Sequence, residues 1–296
     1  MPGDGRSHDP AFGLICRKGD LGELLGSPQA GVFQKYVVGL PDLPGQMRAY
    51  PHRTRRAPIH EIHGRYSTPI FQVGQPPYET DGGTIEYTVD GSPILQGTQD
   101  VCFGLSVPAN AVMPVDGWPV VIYLHGTGGS FRSHFDNGVA MSLADVDLGG
   151  GGTTQMAVIG IDQVVHGDRR EGSTTHPNEL FFNFTNPAAA KNNPIQGAAD
   201  LFQLVRLVQG FVAQVNGVGE VRLDPSRVYF FGHSQGVITG PPAIPFEPAI
   251  RGVVYSGGGA LLIESLLHKT NPVDIAGATQ FVLADGQVGF THPVLN

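Results

Sequence analysis

Charge is scarce in this chain of 296 residues: Asp, Glu, Lys and Arg make up only 15% of it, with 18 Lys plus Arg against 26 Asp plus Glu for a net −8. Without a basic surplus there is no broad attraction to phosphate backbones, and no nucleic acid partner is expected. Cysteine is nearly absent, with only Cys16 and Cys102. Two are too few for a disulfide scaffold or a thiolate zinc site, though enough for one bond. No run of about 18 apolar residues occurs, and the opening MPGDGRSHDP lacks the basic start and apolar stretch of a secretory signal. The chain as written is expected to be soluble, and its scarce lysine also fits the mature part of an exported protein. What it has in quantity is 42 Gly and 24 Pro, scattered without period among apolar residues that reach 41%. That composition describes a loop-rich globular domain large enough to bury its own core.

Two regions are expected. Residues 1–80 carry short apolar patches such as Val32, Phe33, Tyr36, Val37 and Val38 without a sustained period, and read as an irregular arm or cap. Within them Arg48, His52, Arg53, Arg55, Arg56, His60, His63 and Arg65 form the one basic stretch, expected to be a solvated loop paired with surface carboxylates. Residues 81–296 read as the core. There Thr84–Val89 and Asp100–Val107 alternate and suggest an antiparallel pair at a sheet edge. Pro119–Leu124 and Met156–Ile161 are short Val/Ile-rich runs that fit buried strands. A helix is expected through 141–143, and a flexible connection at the four glycines of 149–152. Ala198, Leu201, Phe202, Val205, Val208 and Val212 recur at helical steps over 195–212, with Pro194 placed to start that helix. Val228–Phe231, Ile250–Tyr255 and Gln280–Leu283 read as further strands, and the alternation implies an α/β fold with a mainly parallel central sheet covered on both faces.

The chemistry is concentrated where the strand Val228–Phe231 runs into Gly232-His233-Ser234-Gln235-Gly236. G-x-S-x-G after a strand places a serine at the apex of a sharp turn, its hydroxyl projecting above the strand ends where open α/β sheets bind ligands. Such a hydroxyl needs a base to take its proton and donors to hold the oxyanion that follows. The amide of Gln235, at the start of the following helix, is one donor. The loop His125-Gly126-Thr127-Gly128-Gly129-Ser130, following an earlier strand, supplies the second, assigned to Thr127 with Gly126 and Gly128 shaping the loop. It has neither the Lys-Ser/Thr ending of a nucleotide-binding loop nor G-x-G-x-x-G spacing.

With these two motifs in this order the chain resembles the α/β-hydrolase family from about residue 98 onward. The stretch Phe181-Phe182-Asn183-Phe184-Thr185-Asn186-Pro187 leading to Gln196-Gly197-Ala198-Ala199-Asp200-Leu201 resembles large bacterial extracellular lipases of the virulence-factor type. The resemblance implies cleavage of carboxylic esters, lipidic ones included, through an acyl-enzyme on Ser234, with no metal or organic cofactor, and a secreted or cell-surface setting.

In that family an acid and then a histidine follow the nucleophile. After Ser234 the acids are Glu247, Glu264, Asp274 and Asp285, and the bases are His268 and His292. Asp285, just past the strand-like Gln280–Leu283, and His292 are the candidate acid and base, in an unusually compact arrangement. The other reading is that a further segment or a second chain supplies them, the sheet being one strand short. His268, on a helix-like Ala260–Leu267, reads as a surface or capping histidine. His233 is expected beneath the turn and His125 in a structural hydrogen bond. Asp162, His166 and Asp168 suggest a metal cluster, but their place at a strand exit favours a loop beside the pocket. Two further functions stay open: a peptidase of the same fold, and a binding or scaffold chain that keeps the fold without turnover.

Overall fold

The computed structural model describes residues 48–51, 59–259, 261–270, 274, 276 and 277. Cys16, Gln280–Leu283, Asp285 and His292 therefore lie outside the described residues. The strands are β1 (Arg48–Pro51), β2 (Ile59–Ile70), β3 (Gly97–Pro108), β4 (Trp118–Leu124), β5 (Val146–Gly149), β6 (Gly152–Thr154), β7 (Ala157–Ile161), β8 (Val212–Val215), β9 (Gly219–His233) and β10 (Ile250–Ser256). The helices are α1 (Ser133–Asp136), α2 (Val139–Leu143), α3 (Pro177–Phe181), α4 (Pro187–Gln209), α5 (Gly236–Thr239) and α6 (Leu262–His268). None of them is long and apolar enough to cross a membrane.

The fold is α/β around a mixed sheet in the order β1-β2-β3-β7-β4-β9-β10, with β8 added along the first part of β9. Strands β7, β4, β9 and β10 run parallel, while β1, β2 and β3 pair antiparallel on the β7 side. Both faces of β4 are buried, which is why it reads as an unbroken apolar run. Val120, Ile122 and Leu124 face the main core, where Leu201, Leu204, Val205 and Val208 of α4 pack. Val121 and Tyr123 face the other way, against Val139 and Leu143 of α2.

Several sequence expectations change here. Residues 59–70 of the expected irregular arm form β2, paired over its whole length with β3. The strand looks too polar for a core because its charges are matched by distant residues. Buried Glu61 is bonded to His63 at 2.7 Å and to Arg132 at 2.6 Å, and Arg65 reaches Asp168 at 3.0 Å. Burial works against ionisation of Glu61, but these hydrogen bonds and charges outweigh it and hold its carboxyl at about 2. Asp100–Val107 accordingly pairs with β2, and Thr84–Val89 makes only the isolated bridges Gln72–Ile85 and Tyr87–Pro93. The glycines at 149–152 turn the β5–β6 hairpin.

Helix α4 begins seven residues earlier than Pro194, at Pro187, with Asn186 as its cap and Pro194 inside it. Asn186 Oδ1 accepts from the Ala189 amide at 3.3 Å, so Pro187 occupies the first turn where a missing N–H costs nothing. Val212, expected on the helix, starts β8 instead. The Asn183–Asp200 stretch anchors the scaffold. Asn183 and Asn186 donate to the Tyr78 carbonyl at 3.0 Å each, and Gln196 donates to the Pro69 carbonyl at 2.9 Å. Asp200 closes a buried ion pair with Arg169 at 2.6 Å.

Candidate active site

The chain leaves β4 and returns at β7 on one side of it, then crosses through α4 to β9 on the other. The direction of winding thus reverses between β4 and β9. In open α/β sheets the crevice beyond the carboxyl ends of such a strand pair is where ligands bind. Here it is formed by the loop after β4, residues 125–130, and the turn after β9, with Ser234 at its apex.

Ser234 stands at φ +50°, a left-handed conformation that costs a non-glycine residue energy and is found where a side chain must be aimed. Its amide donates to the Ser256 carbonyl of β10 at 2.8 Å, and the Gly236 amide donates to the His125 carbonyl at 3.2 Å. The turn is therefore tied to both neighbouring strand ends. A Cβ on Gly236 would collide with the Leu124 carbonyl oxygen, so the close approach of α5 to β4 needs glycine there. The approach across the crevice at Gly126 is also tight: an added Cβ would lie 3.0 Å from Ser234 Cβ and 3.5 Å from its Oγ. The loop after β4 and the turn after β9 thus lie side by side.

The amides of Thr127 and Gln235 have no acceptor among the described residues, whereas that of Gly128 donates to His166 Nε2 at 2.9 Å. Two free N–H groups on either side of a strained serine are what an oxyanion would need. The loop bearing Thr127 is fixed at several points. The Gly129 amide turns back to the Gly126 carbonyl at 3.0 Å, the Ser130 amide donates to Ser133 Oγ at 2.9 Å and the Phe131 amide to Asp162 Oδ1 at 2.9 Å. His125 is buried; its Nδ1 donates to the Gly126 carbonyl at 2.7 Å and its Nε2 accepts from the Gln163 amide at 3.4 Å. Burial drives its pKa down to about 4, so it is a neutral structural group, as expected. Gln163 joins the layers: its Oε1 accepts from Thr239 Oγ1 of α5 at 2.7 Å.

Asp162, His166 and Asp168 do not come together as a ligand set, and among the described residues no group of three or more His, Cys, Asp or Glu could hold a metal. Burial raises Asp162 to about 6, offset in part by the Phe131 amide, with the charge of Asp168 raising it further. His233 corrects an expectation: it is exposed rather than beneath the turn, its Nδ1 lying 3.2 Å from Ser256 Oγ. The residue packed beneath the turn is Gln235, at 1% exposure. His268 is exposed on α6, 3.5 Å from Glu264. Glu247 is buried against Arg206 at 2.8 Å, and Asp274 caps Gly277. None of these hydrogen-bonds Ser234, and no His, Asp or Glu among the described residues does. Asp162, Gln163 and His166, which hold the loop, were not singled out for that role by the sequence. The run Ile161–Asp168 after a strand was the available signal.

No family model and no curated protein matches the chain. Among solved structures it is similar to a cold-adapted esterase from an Arctic intertidal metagenomic library, at 16% identity over 69% of this chain and 62% of that one, with a TM-score of 0.36. It is also similar to an acetyl xylan esterase from Paenibacillus sp. R4, at 15% identity over 76% of this chain and 63% of that one, TM-score 0.38. A rice cell wall degrading esterase from Xanthomonas oryzae gives 14% identity over 69% of this chain and 42% of that one, TM-score 0.31. The chain spans just over three fifths of the length of the first two.

Proposed function

We propose that this chain is a serine hydrolase of carboxylic esters that works through an acyl-enzyme on Ser234. The observation that carries the reading is the convergence, at the β4/β9 crevice, of a serine held at φ +50°, Gly126 close beside it, and the amides of Thr127 and Gln235, which have no acceptor among the described residues. Ser234 Oγ would attack the ester carbonyl as its proton passes to a histidine. The carbonyl oxygen would take the negative charge and be held by the two amides. Collapse would expel the alcohol, which takes the proton from that histidine, and water would then release the acid by the same route.

His292 as base and Asp285 as its orienting acid belong to this proposal, with a further segment or second chain as the other source. The resemblance to lipases rests on residues 181–201, whose polar side chains hold the scaffold, so the proposal is put as ester hydrolysis, with acyl length read from a series of p-nitrophenyl esters. Export belongs to it as well. Cys102 is disulfide-bonded, a state that persists in oxidising compartments.

The test is labelling of the purified chain with a fluorophosphonate, mapped by peptide mass spectrometry, with Ser234→Ala as control. Labelling confined to Ser234, together with turnover of model esters that His292→Ala abolishes, is the expected result. A folded chain that neither labels nor turns over places the base outside this chain if a longer chain is active and supports the scaffold reading if that is inert too, and amide cleavage at rates comparable to ester cleavage supports the peptidase.

A further inference from the structure

We infer that His166 is a positioning residue of the oxyanion loop, holding Gly128 from beneath so that the neighbouring Thr127 amide faces the crevice. The inference rests on the site reading given above. His166 is fully buried, and both of its ring nitrogens are used. Nδ1 lies 2.9 Å from the Val164 carbonyl and Nε2 lies 2.9 Å from the Gly128 amide. A carbonyl can only accept and an amide N–H can only donate, so the ring carries its single proton on Nδ1 and presents a lone pair at Nε2. Gly128 needs that anchor. It sits at φ +83° and is itself exposed, so its amide would otherwise be free to turn toward solvent.

The backbone around His166 is bent to this purpose. Val165 at φ +57° and Gly167 at φ +54° flank it, and a left-handed valine is a strained residue that persists only where its surroundings enforce it. The same segment supplies Asp162, whose Oδ1 accepts the Phe131 amide at 2.9 Å, so residues 162–166 hold the loop at its middle and at its far end. Burial and the neighbouring His125 ring keep His166 neutral down to about 3, so the lone pair at Nε2 is retained at neutral pH. One consequence concerns specific atoms: with the amides of Gly128, Gly129 and Ser130 occupied, those of Gly126 and Thr127 are the ones this loop leaves open to an oxyanion among the described residues.

The experiment compares His166→Phe, which keeps a ring and removes the acceptor, with His166→Gln, whose Oε1 can stand near Nε2. Amide hydrogen exchange of the peptide covering residues 125–131 reads the anchor directly, whether or not the chain turns over. Exchange there is expected to quicken at least tenfold in His166→Phe and to return toward wild type in His166→Gln. In ester hydrolysis, kcat is expected to fall by at least about tenfold in His166→Phe with KM changed less than about threefold, and to recover in His166→Gln. The fall should stay within the 10²–10³ that removal of a whole donor costs. Unchanged exchange in a folded His166→Phe overturns the inference, as does a loss of kcat that His166→Gln fails to rescue. A folded wild type with no turnover and no labelling of Ser234 refutes a hydrolase whose base lies in this chain, and with it the effect of His166 on kcat, while quickened exchange in His166→Phe still establishes the anchor.

Discussion

Replacing Asp200 by Asn changes no shape and removes one buried charge. Arg169 is 3% exposed and Asp200 1%, with 2.6 Å between Nη1 and Oδ2. The other partners of Arg169 are neutral oxygens, Gln99 Oε1 at 2.9 Å and the Asp162 carbonyl at 3.2 Å. In Asp200→Asn the amide oxygen can still accept from Thr68 and Gln196, which bond to Oδ1 at 3.1 Å each. What is lost is the counter-charge of a guanidinium that cannot deprotonate. Breaking one side of such a pair costs about 3–5 kcal/mol, against a total stability of about 5–15 kcal/mol for a domain. Trp118, the sole tryptophan, is 3% exposed in the core and reports unfolding by its fluorescence. With an m-value of about 2–3 kcal/mol/M in urea, the midpoint should fall by about 1–2.5 M at unchanged slope. The double variant Arg169→Met/Asp200→Asn removes the stranded charge and should recover a good part of the loss. A midpoint shift under about 0.3 M for Asp200→Asn, or a double variant no more stable than the single, would show that the pair is not acting as a buried ion pair.

Gly126→Ala should leave the fold in place and reduce kcat by more than about tenfold, because the new methyl would press on Ser234 Cβ at 3.0 Å and shift the crevice by tenths of an ångström. Slowed fluorophosphonate labelling at an unchanged Tm would confirm it, and full activity would refute the close approach. Acid should destabilise the protein. Burial lowers His125 to about 4 and His134 and His166 to about 3, so each binds its proton in the unfolded chain first, and stability present above pH 6.5 is lost as pH falls toward those values. Asp162, raised to about 6, works the other way between pH 6 and its unfolded value of 3.8, and one such group is outweighed by three. Urea midpoints measured at pH 7.5, 6 and 5 check the sign, and a midpoint that rises on acidification would contradict it.

How much of this could be read from the chain depended on how local each cause was. Strands β4 and β7 were legible because burial on both faces leaves a contiguous apolar run. The turn at Ser234 and its close approach to Gly126 were legible because a sharp turn and a close approach each demand small residues within a few positions. Strand β2 was not, since the partners that make Glu61 and Arg65 tolerable in a sheet, Arg132 and Asp168, lie far along the chain. Pro194 misled for a different reason: a proline marks a helix start only when nothing upstream caps it, and Asn186 does so here. His166 was weighed as a metal ligand because its true partner, the Gly128 amide, has no signature in the side-chain sequence at all.

The sheet order has a consequence for how the protein comes to be folded. Val120 of β4 lies beside Val228 of β9, more than a hundred residues later, and that pairing brings Ser234 to Gly126. Closing so long a loop is slow compared with forming the β5–β6 hairpin or helix α4, whose contacts are local. The β4/β9 crevice is thus assembled late, after most of the chain has emerged and much of its secondary structure exists. A chain interrupted during synthesis between residues 170 and 228 would hold the 125–130 loop and His166 with nothing opposite them.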